Sequence, residues 1–96
     1  MLQQMTIVTD NRPLLEPLVR SALDHEKRLI ALGLQRTRSR LAEFEQQFQM
    51  SSADFEQRLN TLQLDETVEF SEWRMEIGML RLLDRQYKAL NDARFD

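Results

Sequence analysis

The sequence predicts an all-α protein: a long antiparallel helical hairpin with a short helix at the turn, dimerising into a four-helix bundle. Three observations predict it. The 96 residues include only two glycines and two prolines, which leaves little material for turns. Apolar residues recur at helical spacings of three, four and seven on both sides of the chain's middle. Helix-start signals separate these patterns, first at Ser51 and then at Asp65 or Thr67.

Residues 1–12 are predicted to be a flexible or extended leader, because MLQQMTIVTD has no helical period. Residues 13–96 form a single helical hairpin domain. Asp10 or Asn11 can cap the first helix, and Pro13 suits its first position. We expect this helix over about residues 14–49. Its apolar positions are Leu23, Ile30, Leu34, Leu41, Phe44 and Phe48.

A second, short helix is expected over about residues 52–62. Ser51 and Asp54 have the spacing of a capping box, and Met50 and Phe55 that of a hydrophobic staple. A third helix is expected over about residues 66–93. Its apolar positions are Phe70, Trp73, Ile77, Leu80, Leu83, Tyr87 and Leu90, with Met75, Met79 and Leu82 widening the same face.

Antiparallel pairing places residues equidistant from the turn opposite each other. Phe44 then faces Trp73, and Arg40 faces Glu76. The two glycines, Gly33 and Gly78, are both expected at mid-height, where a thin backbone allows close helix packing.

Two helices cannot bury apolar stripes this wide, so we expect a homodimer, the alternative being a monomeric three-helix unit. The first helix also extends past the third by about two turns. The expected dimer-interface residues lie on the first helix: Leu15, Leu18, Val19, Leu23 and Ile30.

Composition limits the classes of function. The chain has no cysteine, which excludes disulfides and thiolate sites and fits a cytoplasmic protein. No apolar run is long enough for a membrane span. The net charge of −3 argues against a dedicated nucleic-acid binder. Because no catalytic motif appears, we expect no enzyme, no cofactor and no metal site.

Charged side chains are the remaining candidates. Glu69, Glu72 and Glu76 share one helix face; since no histidine lies near, we interpret them as a face for arginines or a basic partner. Arg36 and Arg40 belong to a basic patch expected to bridge to Glu76 and its neighbours, with phosphate contact as the alternative. The single histidine, His25, is interpreted as a solvated surface side chain.

The order of charge along the chain is asymmetric. Residues 25–40 carry five basic side chains and one acid, whereas residues 43–76 carry nine acids and two arginines. Such asymmetry steers association with a partner more than it sets the fold. It suits an acidic protein that covers a basic surface.

The runs LQRTRSRLAEFEQQFQMSSADFEQRL, EFSEW and RLLDRQYKAL carry a resemblance over about residues 25–90. They resemble a family of small helical, antitoxin-like proteins of bacteria and archaea, in which R-T-R-x-R-L-x-x-F-E leads into M-S-S-x-x-F, an acidic turn and D/E-F-x-E-W. This chain departs from the pattern at Gln49, where a glycine is usual, and in the glycine-free turn 60–67. The most specific positions are Arg36, Arg38, Leu41, Phe44, Glu45, Met50, Ser51, Ser52, Phe55, Phe70, Glu72 and Trp73.

The resemblance implies an antitoxin-like protein that sequesters a basic partner such as a ribonuclease-type toxin. Trp73, with Phe70, Arg36 and Arg40, would form the contact if exposed; if Trp73 is buried, the row Glu69, Glu72 and Glu76 becomes the better candidate. Two alternatives remain. One is a self-associating coiled-coil scaffold or adaptor. The other is a ribbon-helix-helix DNA-binding regulator, with MTIVT as the ribbon and a helix break at Gly33.

Overall fold

The computed structural model describes residues 1–95 and contains three helices over that range. They are α1 (Arg12–Phe48), α2 (Ser52–Asn60) and α3 (Val68–Asp92). The long helices α1 and α3 pack antiparallel against each other, with α2 between them in sequence. The predicted helical hairpin with a short helix at its turn is therefore confirmed.

The helix ends follow local side-chain chemistry. Asn11, Ser51 and Thr67 are the N-caps, and each side chain accepts a hydrogen bond from the backbone N–H three residues on. The third helix begins at Val68 because Thr67 is its cap. The second ends at Asn60, two residues short of the predicted end, and Leu62 just beyond it has a φ of 59°.

The first helix ends at a residue with left-handed backbone geometry. Gln49 has φ 53° and ψ 45°, and its N–H bonds to the carbonyl oxygen of Glu45. Glycine adopts this conformation without the steric cost of a Cβ atom, so Gln49 bears a cost here that a glycine would not. The Gln49 side chain instead bonds to the carbonyl oxygen of Gln46 at 2.6 Å.

The core lies at the turn end of the hairpin. Its buried residues are Leu41, Phe44, Phe55, Leu59, Trp73 and Ile77, and Phe48, Met50, Leu64, Phe70 and Leu80 pack around them. Toward the open end the contacts are thinner: Lys27 bonds to Asn91 at 2.8 Å, and Arg20 lies over the ring of Phe95. The molecule is an elongated rod with extents of 58 × 25 × 18 Å.

Only one of the two glycines lies where the opposite long helix comes close to its backbone. A Cβ atom on Gly33 would come within 3.2 Å of Cδ1 of Leu83, so the expectation is met there. A Cβ atom on Gly78 would meet nothing within 4 Å. The prediction that Gly78 permits close packing is therefore wrong, because this residue lies on the solvent side of α3.

The first helix is continuous through Gly33, from Arg12 to Phe48. A ribbon-helix-helix arrangement requires a break at that point. Within the described part of the chain, residues 5–9, the MTIVT segment, form no strand either.

Candidate protein-binding surfaces

Trp73 is completely buried, with 0 % of its surface exposed. Its ring stacks on Phe55 with 3.9 Å between centroids and on Phe44 with 5.5 Å. Its Nε1–H donates a hydrogen bond to Oγ of Ser52 at 2.9 Å. Trp73 is therefore a packing residue that joins all three helices, and it offers no surface to a partner.

The same side-chain network holds the turn between α1 and α2. The Glu45 carboxylate accepts a hydrogen bond from the backbone N–H of Ser52 at 2.7 Å. Oγ of Ser51 accepts from the N–H of Asp54 at 3.1 Å. The M-S-S-x-x-F and E-F-x-E-W segments are thus accounted for by packing and capping, because their two serines, Phe55 and Trp73 are used inside the hairpin.

Arg40 is occupied by contacts within the hairpin. Its guanidinium bonds to Glu43 at 3.3 Å and to Glu72 at 3.4 Å, and its Cζ lies 4.6 Å from the centre of the Phe44 ring. The expected neighbour was Glu76. Arg40 instead reaches Glu72, one helical turn nearer the hairpin turn.

Arg36, Glu69 and Glu76 keep unneutralised charges. Within residues 1–95 none of the three forms an ion pair shorter than 4.0 Å. Glu69 lies in the first turn of α3, where the helix dipole favours an acid. An open groove between α1 and α3 is lined by Arg36, Ser39, Arg40, Glu43 and Glu76.

Other carboxylates near the turn are paired with arginines. Glu56 of α2 bonds to Arg81 of α3, with one contact at 2.8 Å, and this pair lowers the pKa of the Glu56 carboxyl and raises that of Arg81. At the far end of α1, bonds from Arg20 and Arg12 lower the pKa of Glu16. These pairs stabilise the fold modestly, since the arginines are half-exposed or more.

Four apolar side chains on α3 face solvent, which sequence reasoning missed. Val68, Met75, Met79 and Leu82, which we term the α3 stripe, are 42–74 % exposed. The prediction that Met75, Met79 and Leu82 widen the packed face is therefore wrong. The sequence does contain an indication of this second line. Met75, Met79 and Leu82 are spaced by four and three residues, which places them on the side of α3 away from Trp73.

The α3 stripe runs beside the acidic row. Glu72 lies one turn from both Val68 and Met75, and Glu76 lies three residues before Met79. Glu69 continues the row toward the start of the helix. The exposed side of α3 therefore combines an apolar line with carboxylates along one border.

The residues expected at the dimer interface differ in how deeply the monomer buries them. Ile30 is buried in the monomer, and Leu15, Val19 and Leu23 are half-buried, whereas Leu18 is exposed. The large apolar side chains that α1 exposes are Leu14, Leu18, Leu29 and Leu32, which we term the α1 stripe; they are 49–67 % exposed. Ile30 faces α3 because it belongs to the seam with Leu34 and Leu41.

No family model, curated protein or solved structure matches this chain. Among the described residues, none of the helices is both long enough and apolar enough to cross a membrane. The fold and its surfaces define a helical hairpin that is packed at its turn end and carries an exposed apolar stripe on each long helix.

Proposed function

We propose that the protein is a non-enzymatic, cytoplasmic protein-interaction module of the antitoxin-like kind, which sequesters a basic protein partner such as a ribonuclease-type toxin. The observation that carries this proposal is the α3 stripe with its acidic border. This surface takes the place of Trp73 as the expected contact with the partner. The acidic residues Glu69, Glu72 and Glu76 remain part of that contact.

The chemistry of this surface suits a basic partner with an apolar patch. Burial of exposed apolar area contributes about 25 cal/mol per Å² before the costs of association. Methionine side chains are flexible and polarizable, so Met75 and Met79 can adapt to a partner's shape. Glu69 and Glu76, which have no cationic partner within residues 1–95, would steer a basic protein toward the stripe.

The mechanism would be steric and electrostatic. A ribonuclease binds its substrate through basic side chains that contact phosphates. An acidic, apolar helix face covering those side chains would keep the RNA out. Arg36 and Arg40 would lie at the edge of such a contact, and Arg40 would hold Glu72 in place through their ion pair.

The test uses the product of the neighbouring gene as the candidate toxin. Its expression should arrest growth, and co-expression of the hairpin should relieve the arrest. The double substitution Met75→Lys/Met79→Lys should abolish the relief, because it places two cations on the surface that meets a basic partner. The matched control is Gln47→Lys/Gln57→Lys, which makes the same charge change at exposed positions near the turn.

Two results would refute the proposal. One is growth arrest that persists although the wild-type hairpin is folded and abundant. The other is equal relief by the methionine double variant and the wild type.

A self-associating scaffold or adaptor is the second candidate, and the α1 stripe favours it. In this case the homodimer itself would be the functional unit, and no toxin would be involved. A stable homodimer whose neighbouring gene product is harmless would select this alternative.

A further inference from the structure

The α1 stripe is an apolar line that the monomer leaves without cover. Its four leucines lie on the side of α1 away from the seam formed by Ile30, Leu34 and Leu41. Each is about half to two-thirds exposed. Exposed apolar side chains grouped on one face of a helix are typical of interaction sites in folded proteins.

The stripe is nearly symmetric about residue 23. Leu14 and Leu32 are equally distant from that point, and Leu18 and Leu29 differ by one position. Ser21, Ala22 and His25 lie between the two leucine pairs on the same side of the helix, and all three are exposed. A helix face with this pattern is complementary to a second copy running in the opposite direction.

The surface area agrees with a missing partner. The chain exposes 7980 Å². A compact monomer of 11.5 kDa exposes about 5,800 Å², so the excess is about 2,200 Å². The exposed residues 1–11 and the elongated shape account for part of it. A standard interface buries about 800 Å² per partner, which is smaller than the whole excess.

We propose that two copies of this chain pair through their α1 stripes, antiparallel, with the two-fold axis near residue 23. Leu14 then packs against the partner's Leu32, and Leu18 against the partner's Leu29. Near the axis, His25 of each copy lies opposite the partner's Ser21, whose small side chain leaves room for the imidazole. The dimer is independent of the proposed function, since the α3 stripe takes no part in it.

This arrangement differs from the dimer interface expected from the sequence, of which it keeps only Leu18. The two α1 helices form the centre of a four-helix assembly, and each α3 lies on its outer side. The N-terminal turns of α1 have no α3 beside them in the monomer. In the dimer, their exposed residues Leu14 and Leu18 are covered by the partner's α1. Both α3 stripes stay exposed, one at each edge of the assembly, so the dimer presents two copies of that surface.

Sedimentation equilibrium of the purified full chain tests the association. The wild type should sediment with twice the chain mass at micromolar concentration. Leu18→Glu/Leu29→Glu should raise the dimer dissociation constant about a hundredfold or more, because it buries carboxylates in an apolar seam. The matched control, Met75→Glu/Met79→Glu, makes the same charge change on the α3 stripe and should leave the dimer intact. A monomeric wild type, or equal effects of the two double variants, would overturn the proposal.

Cysteine cross-linking tests the register, and because the chain has no native cysteine, only the introduced thiols can react. Ala22→Cys lies near the axis and should form a disulfide-linked dimer under mild oxidation. Leu14→Cys alone should not, whereas a mixture of Leu14→Cys and Leu32→Cys should form the mixed dimer. These expectations follow from the roughly 7 Å limit between Cα atoms that a disulfide can join. Efficient self-linking of Leu14→Cys would show a parallel pairing and refute the model of the interface.

Discussion

Replacement of Ser52 by alanine tests the hydrogen bond that joins α2 to the buried core. Oγ of Ser52 is the acceptor for Nε1–H of Trp73 at 2.9 Å, and Trp73 has no exposed surface. In the Ser52→Ala variant this donor, which belongs to a fully buried side chain, loses its acceptor. The backbone N–H of Ser52 keeps its bond to Glu45, so the capping of α2 is unchanged.

The expected loss is about 1–3 kcal/mol in the free energy of unfolding, the cost of leaving a buried polar group unsatisfied. A domain of this size has about 5–15 kcal/mol in total. The loss should therefore lower the melting temperature by roughly 5–20 °C. Exposed Ser39 supplies the control, because Ser39→Ala removes a hydroxyl that has no partner among the described residues.

Urea unfolding at a fixed protein concentration measures this loss. Trp73 is the only tryptophan, so its fluorescence reports the core directly. For the variants that carry Trp73→Phe, unfolding is followed by far-ultraviolet circular dichroism instead. A double-mutant cycle isolates the bond: in a Trp73→Phe background, Ser52→Ala should cost less than about 0.5 kcal/mol, because no donor is left unsatisfied.

Two outcomes would refute the reasoning. One is a Ser52→Ala loss no larger than that of Ser39→Ala. The other is an equal loss in the Trp73 and Trp73→Phe backgrounds, which would mean that Ser52 acts through the helix and not through the indole.

Three further stability predictions concern single residues. Gly78→Ala should raise the free energy of unfolding by about 0.5–1 kcal/mol in a urea melt, since alanine favours helix and its Cβ meets open space. Gly33→Ala should gain less, because its Cβ approaches the opposite helix at 3.2 Å; an equal gain would contradict the packing. The bond to Arg81 lowers the pKa of Glu56, so its contribution is present above the ordinary carboxyl pKa and is lost as pH falls through the lowered value. Glu56→Gln should therefore measurably reduce the loss of stability on acidification in thermal melts from pH 6 to 3, by no more than about 1 kcal/mol, and added salt should shrink the difference. An unchanged pH profile would contradict it.

The helices and their ends could be predicted from local sequence. The caps at Asn11, Ser51 and Thr67 act within three residues of themselves, so their effect needs no information about the rest of the chain. The antiparallel register was also predictable in outline, because a short connection makes residues equidistant from it meet. Phe44 and Trp73 do stack.

The face that each helix turns inward was harder to predict. On α3, the line through Trp73 and Ile77 and the line through Met75, Met79 and Leu82 both repeat at helical spacing. Periodicity shows that both lines exist, but it does not rank them. The aromatic stacking around Trp73 buries the first line and leaves the second to solvent.

The amino-acid sequence was sufficient for the helical hairpin, its capped turn and the acidic character of that end, since these depend on neighbours in the chain. The fate of Trp73 depended on three-dimensional packing. Its burial requires Phe44, Ser52 and Phe55 from two other helices to meet at one point, and no local pattern encodes that meeting. The same packing leaves the α1 and α3 stripes as the surfaces available to partners.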